Sequence, residues 1–176
     1  MRAHLLLWFV ILLPVALAAQ QSKIERSFAL PESAANSLTC ACGSWAYADI
    51  AIPKYDRHKG KRIGQEYADL IGGDFNGDGV EDYAGIFSLK DSTDTPLFLI
   101  VLLSDGSAFK CHILDQGDSS IPTIVRLIRR GTTQKDLSTG RKYTYAYDAI
   151  GWCYYEKAGS TYYYMDGKFI NVSTSD

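Results

Sequence analysis

The chain has 176 residues, of which 47% are hydrophobic and 12% aromatic, and its formal net charge is −2 at pH 7. This composition is that of a globular protein and excludes a disordered or collagen-like chain. A weakly acidic protein is a poor match for nucleic acid or anionic lipid, so we expect neither as the main partner.

Residues 1–18 have the pattern of a secretory signal peptide. A short basic start precedes an apolar run from Leu5 to Val15, and Ala16-Leu17-Ala18 offers a small-x-small cleavage site. The run is short for a hydrocarbon core about 30 Å thick. The sequence therefore predicts cleavage, a single β-domain over 19–176 without a membrane anchor, and a periplasmic or secreted location.

The folded part begins with a short helix and continues as a succession of strands. Pro31 to Leu38 is compatible with two helical turns. From Glu66 onward, short apolar runs alternate with turn residues such as Ser-Asp-Gly and Asp-Gly, which is typical of antiparallel hairpins. The runs are 67–71, 83–89, 97–103, 108–114, 121–129, 142–147, 152–156, 161–164 and 168–172. We predict an all-β fold, an antiparallel meander that forms a sandwich, barrel or propeller-like wedge.

Two segments carry more specific expectations. Leu97 to Leu103 is apolar at every position, which predicts a central strand covered on both faces. Pro53 to Arg62 holds six cationic or histidine residues in ten. Because no aromatic platform accompanies these charges, we interpret the segment as a solvated loop.

An Asp- and Gly-rich segment follows the first of the predicted strands. Oxygen donors fall at odd-numbered positions of this loop, and that spacing wraps them around one centre, as calcium with its ~6–8 oxygen ligands requires. Gly77 and Gly79 allow the positive φ angles of such a tight loop. The predicted ligands are Asp74, Asn76, Asp78, Asp82 and the backbone carbonyl of Val80.

The same stretch, GDFNGDGVEDYAGIF, resembles the calcium loop of FG-GAP/VCBS-type repeats, whose core runs Asp-x-(Asp/Asn)-x-Asp-Gly-x-x-Asp. The resemblance covers one copy of 15 residues. It implies Ca²⁺ as the cofactor and a β-hairpin fastened by that ion. The loop is not an EF-hand, because its twelfth position is Gly85 where a bidentate Glu is needed. The alternative interpretation is a metal-free hairpin rich in Asp, Asn and Gly.

Four cysteines remain after the predicted cleavage site, and an even number in an exported chain favours two disulfides. Cys40 and Cys42 are two residues apart, so that a bond between them is sterically awkward. We expect each of them to reach Cys111 or Cys153, in a pairing that the spacing leaves open. A zinc site is the rival interpretation, but the usual ligand spacing is missing.

Several catalytic signatures are missing from the sequence. The mature chain has only two histidines, His58 and His112, and it shows no nucleophile elbow, zinc-binding helix or phosphate-cradling glycine loop. We therefore predict that the protein is not an enzyme.

Tyrosine occurs 12 times, and Tyr143, Tyr145 and Tyr147 alternate as residues on one face of a strand do. Such a face is ordinarily half-buried, with its hydroxyl groups in water. A platform of these rings that binds glycan or peptide is the functional alternative.

The chain resembles small exported inhibitors of peptidoglycan-cleaving enzymes in its size, predicted export, cysteines, acidic loop and all-β pattern. These are periplasmic lysozyme inhibitors and immunity proteins against amidase or lysozyme effectors. By this analogy, the protein is expected to block a peptidoglycan hydrolase as its protein partner. The loop expected to enter the hydrolase cleft is Ser104, Asp105, Gly106 and Ser107. A glycan-binding or adhesion-type module is the alternative function.

Overall fold

A computed structural model of the protein describes residues 29–38, 70–89, 96–118, 123–154 and 158–175, with the shorter stretches 22–23, 45–47, 51–52, 55–56, 61–62 and residue 121. The predicted signal peptide, Cys40, Cys42 and most of the predicted loop over 53–62 lie outside these residues. No helix within the described ranges is long and apolar enough to cross a membrane.

The described residues form one short helix and a series of strands. In chain order these are β1 (Ser22–Lys23), α1 (Glu32–Asn36), β2 (Trp45–Tyr47), β3 (Ala51–Ile52), β4 (Tyr55–Asp56), β5 (Lys61–Arg62), β6 (Leu70–Gly73), β7 (Asp82–Leu89), β8 (Leu97–Asp105), β9 (Ala108–Gly117), β10 (Thr123–Ile128), β11 (Thr133–Lys135), β12 (Lys142–Thr144), β13 (Ala149–Tyr154), β14 (Gly159–Met165) and β15 (Lys168–Ser175). The pairings among these strands are antiparallel, so the all-β prediction is confirmed.

Two larger sheets dominate the fold. In sheet I, β7 lies between β8 and the short strands β2 and β6, and β9 forms the far edge beyond β8. Sheet II has the order β10-β13-β14-β15. The β11–β12 hairpin and the two-residue ladders β1–β3 and β4–β5 are separate. No sheet in the described part of the chain closes into a barrel, and the arrangement is compatible with a sandwich.

The main core lies between the two sheets. Leu99 and Val101 of β8 are fully buried there, with Ile150 and Trp152 of β13 in the same cluster. Successive strand residues point to opposite faces, so alternate apolar residues of β8 reach this core. Burial of this apolar area is the main stabilising contribution to the sandwich.

The other face of sheet I is covered by α1. Ile100 and Leu102 of β8 share a second buried cluster with Ala34 of the helix, which has no exposed surface. Strand β8 is thus covered on both faces, as its uninterrupted apolar sequence predicted. The helix begins after Pro31, as predicted, but has five residues rather than eight. Such a short helix is not stable alone, and the burial of Ala34 holds it in place.

The outer face of sheet II is covered by the β11–β12 hairpin. Tyr145, which follows this hairpin, is 1% exposed and packs with Ala149 and Tyr163 in a third cluster. The prediction of one strand over 142–147 was wrong, because β12 ends at Thr144 and the chain bends before β13. The backbone of Tyr145 instead pairs with the turn after β10, where it bonds Gly131 and Thr132.

Candidate functional site

The acidic loop predicted from the sequence connects β6 to β7 at one end of sheet I. Its two glycines have positive φ angles, +83° at Gly77 and +81° at Gly79. Both N–H groups turn inward and donate to the carboxylate of Asp74, at 2.7 Å from Gly77 and 3.2 Å from Gly79. The loop is therefore tightly wrapped, as the glycine positions predicted.

Asp82 is the most buried carboxylate of this loop, with no exposed surface. Its Oδ2 accepts hydrogen bonds from the N–H groups of Phe75 (2.8 Å) and Asn76 (3.3 Å). Its Oδ1 accepts one from the N–H of Ser104 at 2.7 Å. Burial raises the pKa of the Asp82 carboxyl, and these three donors offset only part of that effect.

Asp78 lies on the exposed side of the loop. Its Oδ1 accepts from the N–H of Val80 at 2.8 Å, and its Oδ2 accepts from the amide of Asn76 (2.9 Å) and the hydroxyl of Ser104 (3.0 Å). Desolvation raises the pKa of the Asp78 carboxyl, but these hydrogen bonds outweigh it and hold the pKa below its usual value.

The donor chemistry of the loop suits calcium, because every predicted ligand offers oxygen. A carboxylate has about four lone-pair sites. The hydrogen bonds above occupy two lone-pair sites on the carboxylate of Asp74 and three on each of Asp78 and Asp82. Each carboxylate therefore keeps at least one lone pair for a metal ion. Among the described residues, no three His, Cys, Asp or Glu side chains are grouped to hold a metal. These hydrogen bonds join the residues of the loop to one another. Calcium binding stays a prediction.

The predicted partner loop, Ser104 to Ser107, is the turn between β8 and β9, and it lies against the acidic loop. Ser104 is 9% exposed, whereas Asp105, Gly106 and Ser107 are exposed. Through the two bonds of Ser104 to Asp78 and Asp82, the turn is anchored to residues 26 and 22 positions earlier in the chain. Sequence reasoning singled out both segments but missed this connection, since no local signal indicates which turn meets which loop.

Sheet II reaches the same loop from the other side. The N–H of Asp148, just before β13, donates to the carbonyl of Asp74 at 3.0 Å. The ring of Tyr147 lies directly over Gly77, so close that a Cβ at Gly77 would stand 2.1 Å from the ring. Tyr147 and Val80 are 36% and 52% exposed. The acidic loop thus contacts both sheets and presents two apolar side chains to solvent.

The cysteines differ from the prediction of two disulfides. Cys111 is disulfide-bonded, and its partner lies outside the described residues. Cys153 is a free thiol, against the prediction. It packs against the core between the sheets, whereas Cys111 faces the α1 side of sheet I, so the two cysteines belong to different clusters. Burial raises the pKa of the Cys153 thiol.

The tyrosines do not form one open face. Tyr145, Tyr162 and Tyr163 are between 1% and 6% exposed. The hydroxyl of Tyr145 donates to Gln134 at 2.7 Å, and that of Tyr163 accepts from the N–H of Ala146 at 3.0 Å. These three rings are used inside the protein, whereas Tyr147 is 36% exposed. Glycan binding by a tyrosine face stays a prediction.

His112 is exposed on β9, and His58 lies outside the described residues.

No protein-family model matches the chain, and neither a curated protein nor a solved structure is significantly similar to it. The resemblance of the acidic loop to FG-GAP/VCBS-type repeats therefore stays a prediction from the motif alone.

Proposed function

We propose that the protein is a non-enzymatic periplasmic binding protein that blocks a peptidoglycan hydrolase by inserting the turn 104–107 into its cleft. The observation that carries this proposal is the contrast within the turn. Its base, Ser104, is buried and held by two hydrogen bonds to the acidic loop, while its tip is exposed. A loop that is rigid before binding loses little conformational entropy when it enters a cleft.

We further propose that Ca²⁺ binds the acidic loop through Asp74, Asn76, Asp78, the carbonyl of Val80 and Asp82. The all-oxygen donor set and the remaining lone pairs of the carboxylates support this assignment. Bound calcium offsets most of the negative charge of the three nearby carboxylates. Since Asp78 and Asp82 also hold Ser104, the ion stabilises the base of the turn.

The disulfide of Cys111 supports the same view of a stabilised, exported scaffold. Cys111 lies on β9, directly after the turn, on the face of sheet I that α1 covers. A covalent bond at this strand limits its movement relative to the rest of the sheet. An export route to an oxidising compartment is consistent with such a bond.

The test measures hydrolysis of dye-labelled peptidoglycan by muramidases and amidases purified from the envelope of the source organism. We expect the protein to inhibit at least one of them at near-stoichiometric ratio. Ser107→Arg places a bulky charge at the tip of the turn and should weaken inhibition about tenfold or more, a loss of ~1.4 kcal/mol in binding free energy. Ser104 is left unchanged, because its substitution also disturbs the acidic loop.

The matched control is Ala158→Arg, an equally large change at an exposed residue on the connection between β13 and β14. This variant should inhibit as strongly as the unchanged protein. Equal inhibition by Ser107→Arg would show that the turn is not the inserted loop. Failure to inhibit any of the purified hydrolases would refute the inhibitor function itself.

A further inference from the structure

A groove separates the free edges of the two sheets on one side of the sandwich. It has a volume of about 470 Å³ and lies between β9 of sheet I and the β14–β15 hairpin of sheet II. This volume falls within the ~300–1,000 Å³ that small-molecule sites occupy. The groove belongs neither to the acidic loop nor to the turn 104–107.

The walls of the groove are apolar. Ile113 of β9 is 39% exposed on one side. On the other side, Tyr164 and Phe169 pack edge to face, with ring centroids 5.1 Å apart and an interplanar angle of 67°. Apolar side chains that line a concave surface are typical of a binding site. Because the two rings are inclined at 67°, each of them offers its own face or edge to a ring-shaped ligand.

The floor of the groove contains an organised polar group. The hydroxyl of Tyr162 donates a short hydrogen bond to Asp115 and accepts one from Nδ2 of Asn171 at 2.8 Å. Asn171 lines the groove, and no described residue bonds its side-chain carbonyl oxygen or its second side-chain N–H. A side-chain amide fixed in this way pairs with another amide, since each supplies the donor and the acceptor that the other needs.

The rim of the groove supplies one lysine and one histidine. Lys168 and His112 both line it, and neither takes part in an ion pair with a described residue. The nearby Lys110 is bound to Asp105 at 2.9 Å and is already paired. The carboxylate of Asp115 accepts hydrogen bonds from the hydroxyl of Tyr162 and from the N–H of Gln116, which offset part of its charge. The net charge of the protein is negative. A lysine at the groove that forms no ion pair with a described residue therefore favours an anionic ligand.

A peptide strand added to β9 fits this edge poorly. The N–H of Phe109 is already bonded to the hydroxyl of Ser37 at 3.3 Å. A bulge breaks the β8–β9 register between Leu99 and Ile100, opposite Leu114. A strand that pairs along an edge needs a regular ladder, and bulges of this kind interrupt it.

We propose that the groove binds a small anionic saccharide that carries an acetamido group. The sugar ring lies against Tyr164 and Phe169, the acetamido group pairs with the amide of Asn171, and the carboxylate meets Lys168. This inference does not depend on the hydrolase-inhibitor function, because it uses different residues and a different ligand.

The probe is N-acetylmuramic acid, and N-acetylglucosamine, which has the same ring and amide but no carboxylate, is the comparison. Titrations of the protein are followed by the NMR shifts of its backbone amides. We expect N-acetylmuramic acid to shift the amides of residues 112–114 and 168–171 and to bind more tightly than N-acetylglucosamine. Lys168→Gln should weaken binding of the acid about tenfold, as for a lost charge-assisted hydrogen bond, and leave the neutral sugar unaffected.

Two further variants keep the test decisive. Lys142→Gln removes an exposed lysine from the β11–β12 hairpin and should bind both sugars like the unchanged protein. Phe169→Leu keeps an apolar side chain but removes the ring, and should weaken both sugars. Shifts confined to other residues, absence of binding, or equal effects of Lys168→Gln and Lys142→Gln would overturn the proposal. Tighter binding of the acidic dipeptide Glu-Ala than of N-acetylmuramic acid would overturn the saccharide assignment.

Discussion

Gly77 and Gly79 occupy the same loop with nearly the same backbone conformation, yet their surroundings differ. Both have φ near +80°, a region that non-glycine residues enter at a cost of ~1–2 kcal/mol. A Cβ at Gly79 would meet nothing within 4 Å, whereas one at Gly77 would collide with the ring of Tyr147. Alanine substitutions at the two glycines therefore separate two contributions to the free energy of unfolding. Both substitutions strain the backbone, but only the one at Gly77 also displaces the ring of Tyr147.

We expect Gly77→Ala to destabilise the protein by about 1 kcal/mol more than Gly79→Ala, because only the first change displaces the ring of Tyr147. The measurement is the free energy of unfolding in urea. Combining Gly77→Ala with Tyr147→Ala should remove the extra penalty of the first change. Equal losses in the two single variants would show that the ring of Tyr147 contributes nothing to this loop.

Among the secondary-structure elements, the β11–β12 hairpin depends most clearly on a single side chain. Oε1 of Gln134 accepts hydrogen bonds from Tyr145 (2.7 Å) and from Thr161 of β14 (2.8 Å). The hairpin is short and polar, and its strands pair over three residues each. Such a hairpin has little stability of its own, so its attachment to sheet II decides whether it forms.

Gln134→Ala should destabilise the protein by about 2 kcal/mol, since two hydroxyl groups in a partly buried site lose their acceptor. Lys135→Ala, at the exposed neighbouring position, should stay within about 0.5 kcal/mol of the unchanged protein. Hydrogen exchange should accelerate in 133–135 and 142–145 of the Gln134 variant before it does so in β8. Similar unfolding free energies for both variants would show that Gln134 does not attach the hairpin.

In the whole molecule, the acidic loop connects the two sheets at one end. It bonds the β8–β9 turn through Ser104 and the segment before β13 through Asp148. A ligand that fixes this loop therefore stabilises both sheets together. A ligand that binds only the folded state raises the free energy of unfolding by ~2.7 kcal/mol when its concentration is about one hundred times its Kd.

If calcium binds as proposed, about 10 mM Ca²⁺ should raise the Tm by roughly 5–10 °C for an extracellular-type site with Kd of ~10⁻⁴ M. Calorimetry with Ca²⁺, Mg²⁺ or EDTA measures this shift. Asp78→Asn should reduce the shift strongly, and Asp105→Asn, at an exposed carboxylate next to the loop, should leave it unchanged. An identical Tm in Ca²⁺ and EDTA would refute the calcium site while leaving the inhibitor function testable by itself.

The sequence alone determined the features that depend on local pattern. The uninterrupted apolar run of Leu97 to Leu103 indicated a strand covered on both faces, because it places apolar side chains on each face of the sheet. Glycines at 77 and 79 indicated a tightly wrapped loop, because only glycine enters positive φ without strain. The strand at 133–135 escaped prediction, since three mostly polar residues carry no periodic signal.

Only the tertiary structure decided which distant segments meet. The sequence does not show that Ser104 holds Asp78 and Asp82, that Cys153 and Cys111 lie in different clusters, or that the rings of Tyr145, Tyr162 and Tyr163 are buried. It also does not show the groove between β9 and the β14–β15 hairpin. These features depend on how sheets pack face to face, and the packing free energy is shared among many nonlocal contacts rather than encoded at any one position.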